Sequence, residues 1–232
     1  VSPIHTALFP RLSQLVVKKD ETGISDLYHR GCQLASIIIL PISITMIFFS
    51  KEILSTWIGD PTVVNNTHIL LSLLIVGTTI KAYMTLPYTL QLAHGWTKLA
   101  FYKNVIAVII IIPSMLWAAQ MYQGMGAAWV LIILYLGLLI FEIIIMHRRI
   151  LKGNMRKRYG YDVFIPVLIA SIIGFAAHEI HDLFSVDVSE VITALAILCT
   201  LVFSFMASAW STGNLNTRVM SLLKIKERKK IV

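Results

Sequence analysis

Lys81 interrupts an otherwise apolar stretch, Ile69 to Leu92, that is long enough to cross a bilayer. A charge at the centre of a membrane costs about 2.5–3.5 kcal/mol on insertion scales, so it requires a polar setting and commonly marks a substrate or ion path. At about 100° per residue, Thr78, Lys81, Thr85, Tyr88 and Gln91 share one stripe of the same helix, with Ile80, Leu86 and Leu90 elsewhere on it. An ammonium flanked by hydroxyls, a phenol and an amide can attract an anion and hydrogen-bond its polar surroundings, which makes these five the substrate-path candidates. The same stripe could instead fix helix packing, with Lys81 paired to a carboxylate or carbonyl. Glu142, on the face of a later span that also carries Tyr135, is the ion-coupling candidate; its alternative is a structural role near His147 and Arg148. A rise of about 1.5 Å per residue places Glu142 roughly two turns closer to the inner surface than Lys81, so a direct bridge between them is not expected.

The elements that must position these residues are membrane helices. The 232 residues are 57% hydrophobic and 14% charged, and the apolar residues fall in blocks: Gly31–Phe49, Ile69–Leu92, Val105–Tyr122, Gly126–Met146, Val163–Ala177 and Val191–Trp210. Most approach the roughly 20 residues needed to span hydrocarbon; the fifth does so only if it continues toward Ile180. A net charge of +8 could suggest nucleic acid, but the basic residues follow the membrane instead. Arg11, Lys18, Lys19 and Arg30 precede the first span, Lys98 and Lys103 lie between the second and third, and clusters follow the fourth and sixth. This alternation fits six spans with both ends cytoplasmic and no nucleic-acid partner. The basic loop and tail could also touch anionic lipid.

Residues 1–17 read as the end of a preceding membrane helix, 31–147 as a four-helix core, 163–210 as two additional helices and 211–232 as a basic cytoplasmic tail. The expectation is an all-α membrane fragment whose preceding helices are missing. Pro41, Pro87 and Pro113 fall inside spans and favour kinks, and Gln123-Gly124-Met125-Gly126 reads as a tight hairpin turn. Cys32 and Cys199 read as buried thiols. The His178-Glu179-Ile180-His181-Asp182 group lacks zinc-protease spacing and reads as a solvated loop. No nucleophile elbow, phosphate loop, paired-carboxylate or cofactor motif appears, so an enzyme is not expected and no metal or cofactor is assigned.

Short segments recur among these spans in a familiar order: Leu8-Phe9-Pro10-Arg11-Leu12-Ser13, Ile53-Leu54 with Trp57-Ile58-Gly59, Gln91 through Gly95 to Asn104, and Gly124-Met125-Gly126-Ala127-Ala128. In this the chain resembles the C-terminal half of polysaccharide and lipid-linked oligosaccharide flippases of the multidrug/oligosaccharidyl-lipid/polysaccharide exporter superfamily. The resemblance implies the C-terminal lobe of a two-lobed MATE-like transporter, multi-pass in the inner or plasma membrane, with an N-terminal lobe of the same chain completing an alternating-access cavity. It further implies an undecaprenyl-diphosphate-linked oligosaccharide cargo, flipped outward for O-antigen, capsule or related polymers. Lys81 would then meet the diphosphate or acidic sugars, and Tyr88 and Gln91 polar groups. Beyond Arg158 the resemblance rests on hydropathy alone. The alternatives are a multidrug-type exporter of the same superfamily, a membrane-embedded polymer-synthesis enzyme, or an assembly scaffold.

Overall fold

In a computed structural model, residues 2–149, 163–184 and 193–210 are described, and all of these elements are helical. They are α1 (Ser2–Val17), α2 (Glu21–Phe48), α3 (Ser50–Ile58), α4 (Pro61–Ala93), α5 (97–122), α6 (124–149), α7 (Ile165–Phe184) and α8 (Thr193–Trp210). The continuous helix Thr97–Arg149 divides into α5 and α6 at Gln123, whose φ of 53° and ψ of −140° leave helical space. Four stretches are long and apolar enough to cross a membrane: Glu21–Phe48, Pro61–Ala93, Thr97–Met146, which holds both arms of the α5–α6 hairpin, and Thr193–Trp210; Ile165–His181 is a shorter apolar helix. The basic loop Arg156–Arg158 and the tail 211–232 lie outside the described residues.

Helix starts differ from the hydropathy blocks because local capping, not apolarity, sets them. The Asp20 carboxylate accepts from the Gly23 amide at 2.9 Å, so α2 begins ten residues before Gly31 and carries Asp26 and Arg30 in its polar first turns. Asp60 accepts from the Thr62 amide at 2.8 Å and Pro61 takes the first helical position, where a missing N–H is harmless. α4 therefore starts eight residues before Ile69. Gly59 (φ 73°) ends α3, and Gly95 (φ 71°) follows α4, left-handed conformations that cost glycine little. Beyond Gly95, α5 begins at Thr97. This corrects the placement of Lys103 in a loop: it stands nearly two turns inside a helix and is buried.

α4 is the hub of the bundle, packing on α1, α2, α3 and the α5–α6 hairpin, while α2 also holds α1 and α7. An apolar core joins α1 (Leu8, Leu12), α2 (Tyr28, Cys32) and α4 (Leu86, Leu90) to Met146 of α6. A second one joins Leu40, Ile44, Tyr83 and Ala170. Between these helices runs a ladder of hydroxyls. Tyr83 donates to Ser36 Oγ at 2.9 Å, Thr79 and Ser43 hydroxyls lie 2.7 Å apart, and Ser72 reaches Ser50 at 2.9 Å and the Ile47 carbonyl at 3.1 Å. Ascending numbers on α2 meet descending numbers on α4, so the two are antiparallel. In hydrocarbon such pairs satisfy polar groups that water cannot reach. Outward faces of α5 and α6, including Ile106, Ile109, Leu116 and Ile133, are exposed and apolar, as lipid-facing or lobe-facing surfaces must be.

Candidate functional site

The last turn of α4, the second turn of α5 and the C-terminal part of α6 bring Gln91, Lys103 and Glu142 together. The Lys103 ammonium is paired with Glu142 Oε1, and both side chains are almost wholly buried, at 6% and 2% exposure. Gln91 Nε2 donates to the same oxygen at 3.1 Å, and the face of the Tyr88 ring lies 5.4 Å from Lys103 Nζ, within cation–π range. The Gln91 carbonyl also accepts from the Trp96 amide at 3.0 Å, so the α4–α5 turn holds this residue by its backbone while its side chain enters the cluster. Gln91 Oε1 and Glu142 Oε2 are buried acceptors with no hydrogen-bond partner among the described residues. Removing one member of such a buried pair costs about 3–5 kcal/mol, because a desolvated charge is left behind.

Lys81 occupies a different environment. It is exposed at the middle of α4, and its ammonium stands 5.7 Å from the centroid of the Tyr135 ring on α6. Among the described residues no carboxylate pairs with it. Thr78, one turn back, is also exposed and returns its hydroxyl to the Ile75 carbonyl at 3.0 Å. Thr85 is half-buried, and its carbonyl accepts from Thr89 at 2.6 Å. The predicted stripe thus divides in two. Thr78 and Lys81 are exposed, whereas Tyr88 and Gln91 turn toward Lys103 and Glu142.

Glu142 lies level with Gln91 and Tyr135 with Lys81, so α4 and α6 run in the same direction and the absence of a Lys81–Glu142 contact follows from axial distance. The cation that Glu142 does meet is Lys103. Sequence reasoning used that residue for topology alone. In the structure it shares a buried helical face with Ala100, three residues back, a burial that the sequence does not mark. His178 and His181 pack on the buried ring of Phe49, at 5.8 Å each, rather than forming a solvated loop, because α7 continues through them. Cys32 is buried as expected, whereas Cys199 is exposed on α8.

Between α2, α4, α6 and α7 lies a cleft of about 340 Å³, walled by aliphatic residues such as Leu40, Ile44, Ile80, Leu139 and Val167, with the Ser43–Thr79 rung on one side. Long apolar helices with outward apolar faces, a buried ion pair between spans and a further intramembrane cation with no carboxylate partner among the described residues define a polytopic α-helical membrane protein. The MatE family profile matches residues 2–117, half of the chain, and the chain belongs to this family of membrane transporters. The matched region includes the whole α4 stripe and Lys103; Tyr135 and Glu142 lie beyond it. No curated protein and no solved structure matches.

Proposed function

We propose that the chain forms one lobe of an exporter that flips a lipid-linked oligosaccharide or polysaccharide precursor, with Lys81 attracting the anionic diphosphate of its cargo. The observation that carries this reading is the contrast between the two intramembrane cations. Lys103 is neutralised by Glu142 inside the bundle, while Lys81 stands exposed with its charge uncompensated by any described carboxylate. At an effective dielectric constant of about 20, an ammonium and a phosphate charge about 4 Å apart attract by about 4 kcal/mol. That is enough to offset the roughly 2.5–3.5 kcal/mol cost of placing the lysine at membrane depth. A cationic drug approaching the same face would be repelled by a comparable amount, which favours the anionic cargo over the multidrug alternative.

The apolar cleft beside α7 supplies the complementary feature, a wall for an isoprenyl chain. Each methylene buried there contributes about 0.8 kcal/mol. Tyr88 and Gln91 are engaged with Lys103 and Glu142, so cargo contact falls first on Thr78 and Lys81, with Thr85 next along the helix. Glu142 has its own cation, and a coupling role there requires displacement of Lys103. In this reading the inner surface carries the Lys98 turn, the basic loop after α6 and the tail, and the cavity is completed by a second lobe of the same chain.

The test is reconstitution in proteoliposomes with a lipid-linked oligosaccharide on one leaflet and, separately, an organic cation. Lys81→Ala should lower flipping at least tenfold at equal expression while Lys81→Arg retains most of it. Unchanged flipping by Lys81→Ala, or organic-cation transport by the wild type without lipid-linked sugar transport, refutes the proposal.

A further inference from the structure

The cluster at the inner ends of α4, α5 and α6 contains more acceptors than its cation uses. Glu142 offers two carboxylate oxygens and Gln91 an amide oxygen, all buried, and Tyr88 adds the negative face of its ring. The described partners of Glu142 both converge on Oε1, leaving Glu142 Oε2 and Gln91 Oε1 without a hydrogen-bond donor among the described residues. The Gln91 backbone is held by the α4–α5 turn, and its side chain donates to Glu142 in a bond that does not involve the lysine. Hard oxygen ligands set on separate rigid helices, one of them a carboxylate, are the composition of a site for a small cation.

We propose that Lys103 is a tethered cation: its ammonium fills an oxygen site built by Glu142 and Gln91, and this site, once emptied of the lysine, takes a free monovalent cation or a primary alkylammonium. The net charge explains why the native site accepts no second ion. Glu142 and Lys103 cancel, and an added cation would leave one uncompensated positive charge in a buried position, which burial strongly disfavours. Shortening Lys103 removes the ammonium and most of its four-carbon stem, leaving a negative carboxylate, an unpaired amide oxygen and a space shaped for an alkylammonium. The Tyr88 ring favours an organic ammonium over a bare metal ion, because cation–π attraction persists where water is excluded.

The inference concerns ion balance within the lobe and does not depend on the identity of the cargo. The experiment is thermal unfolding of the detergent-purified protein at constant ionic strength, with N-methylglucamine replaced stepwise by sodium or by ethylammonium. Lys103→Ala should lose several degrees of Tm, regain at least half of the loss in ethylammonium and a smaller part in sodium, and do so saturably. Lys103→Ala/Glu142→Gln should show no such recovery, and the wild type no response to either ion. Equal recovery in the double variant, or none in Lys103→Ala, overturns the proposal. Should Lys103→Ala not fold in N-methylglucamine, it is purified in ethylammonium throughout; failure to fold there as well overturns it too. A Glu142-dependent stabilisation of the wild type by sodium overturns it independently of that variant.

Discussion

Gly126→Ala and Gly77→Ala make a paired perturbation whose signs should be opposite. At Gly126 a Cβ would press on the Ala118 carbonyl oxygen and stand 2.9 Å from its carbon, both backbone atoms of α5. Backbone within a helix cannot swing aside as a side-chain end can, so the α5–α6 hairpin must open. Overpacking of this kind costs about 1–3 kcal/mol, which for a protein of this size lowers Tm by about 2–12 °C. At Gly77 the nearest atom to a new Cβ is Ile132 Cγ1 at 3.5 Å, ordinary van der Waals contact. There alanine should gain the helix preference of about 0.5–1 kcal/mol, a rise of about 1–4 °C. Thermal unfolding in detergent measures both. An unchanged Tm for Gly126→Ala, or a fall for Gly77→Ala matching that of Gly126→Ala, would refute the close-approach argument. The point matters beyond stability, since the hairpin's narrow spacing sets Lys103 of α5 against Glu142 of α6.

Further expectations concern the ladder and the α2 cap. In a double-mutant cycle of Ser43→Ala and Thr79→Val, the coupling should be about 0.6 kcal/mol and not above about 1.7 kcal/mol, the range of hydrogen bonds between membrane helices; additive variants would show that the 2.7 Å contact contributes nothing. The hydrogen bonds from Gly23 and Thr22 hold the Asp20 carboxyl below the ordinary aspartate range. A depressed folded-state pKa means that its contribution is present above the unfolded value and disappears as pH falls through the folded value. Protection of the Gly23 amide should therefore be lost in Asp20→Ala at neutral pH and largely kept in Asp20→Asn, whose neutral oxygen still accepts, and in the wild type it should fall in acid toward the Asp20→Asn level and not to that of Asp20→Ala.

The all-helical membrane architecture was legible because bilayer thickness and the Gln123 turn leave marks in the linear chain. Element starts were less so. Hydropathy places the first span at Gly31, but Asp20 caps a helix that begins at Glu21, since a helix does not stop where its residues become polar. The polar stripe of α4 was visible by periodicity, and the structure divides it at about Thr85. Periodicity sets which residues share a face of one helix, whereas what meets that face depends on the rotation and depth of its neighbours. Lys103 escaped for that reason. A lysine a few residues past a glycine turn looks like an inner-loop charge until the start of α5 and its facing of α6 are known.

The hydroxyl ladder also limits how α2 and α4 can move. A slip by one helical turn, about 5.4 Å, would set Tyr83 and Thr79 against Cys32 and Ile39 in one direction, or against Leu40 and Ile47 in the other. Ser36, Ser72 and Thr79 would keep the carbonyls of their own helices as acceptors, but either step would take from the Tyr83 hydroxyl its partner on Ser36 and from Ser43 its contact with Thr79. The pair can tilt together with these bonds intact, whereas a ratchet breaks each of them. In a transport cycle its natural role is that of a rigid strut, and the stroke must be taken up where it meets its neighbours.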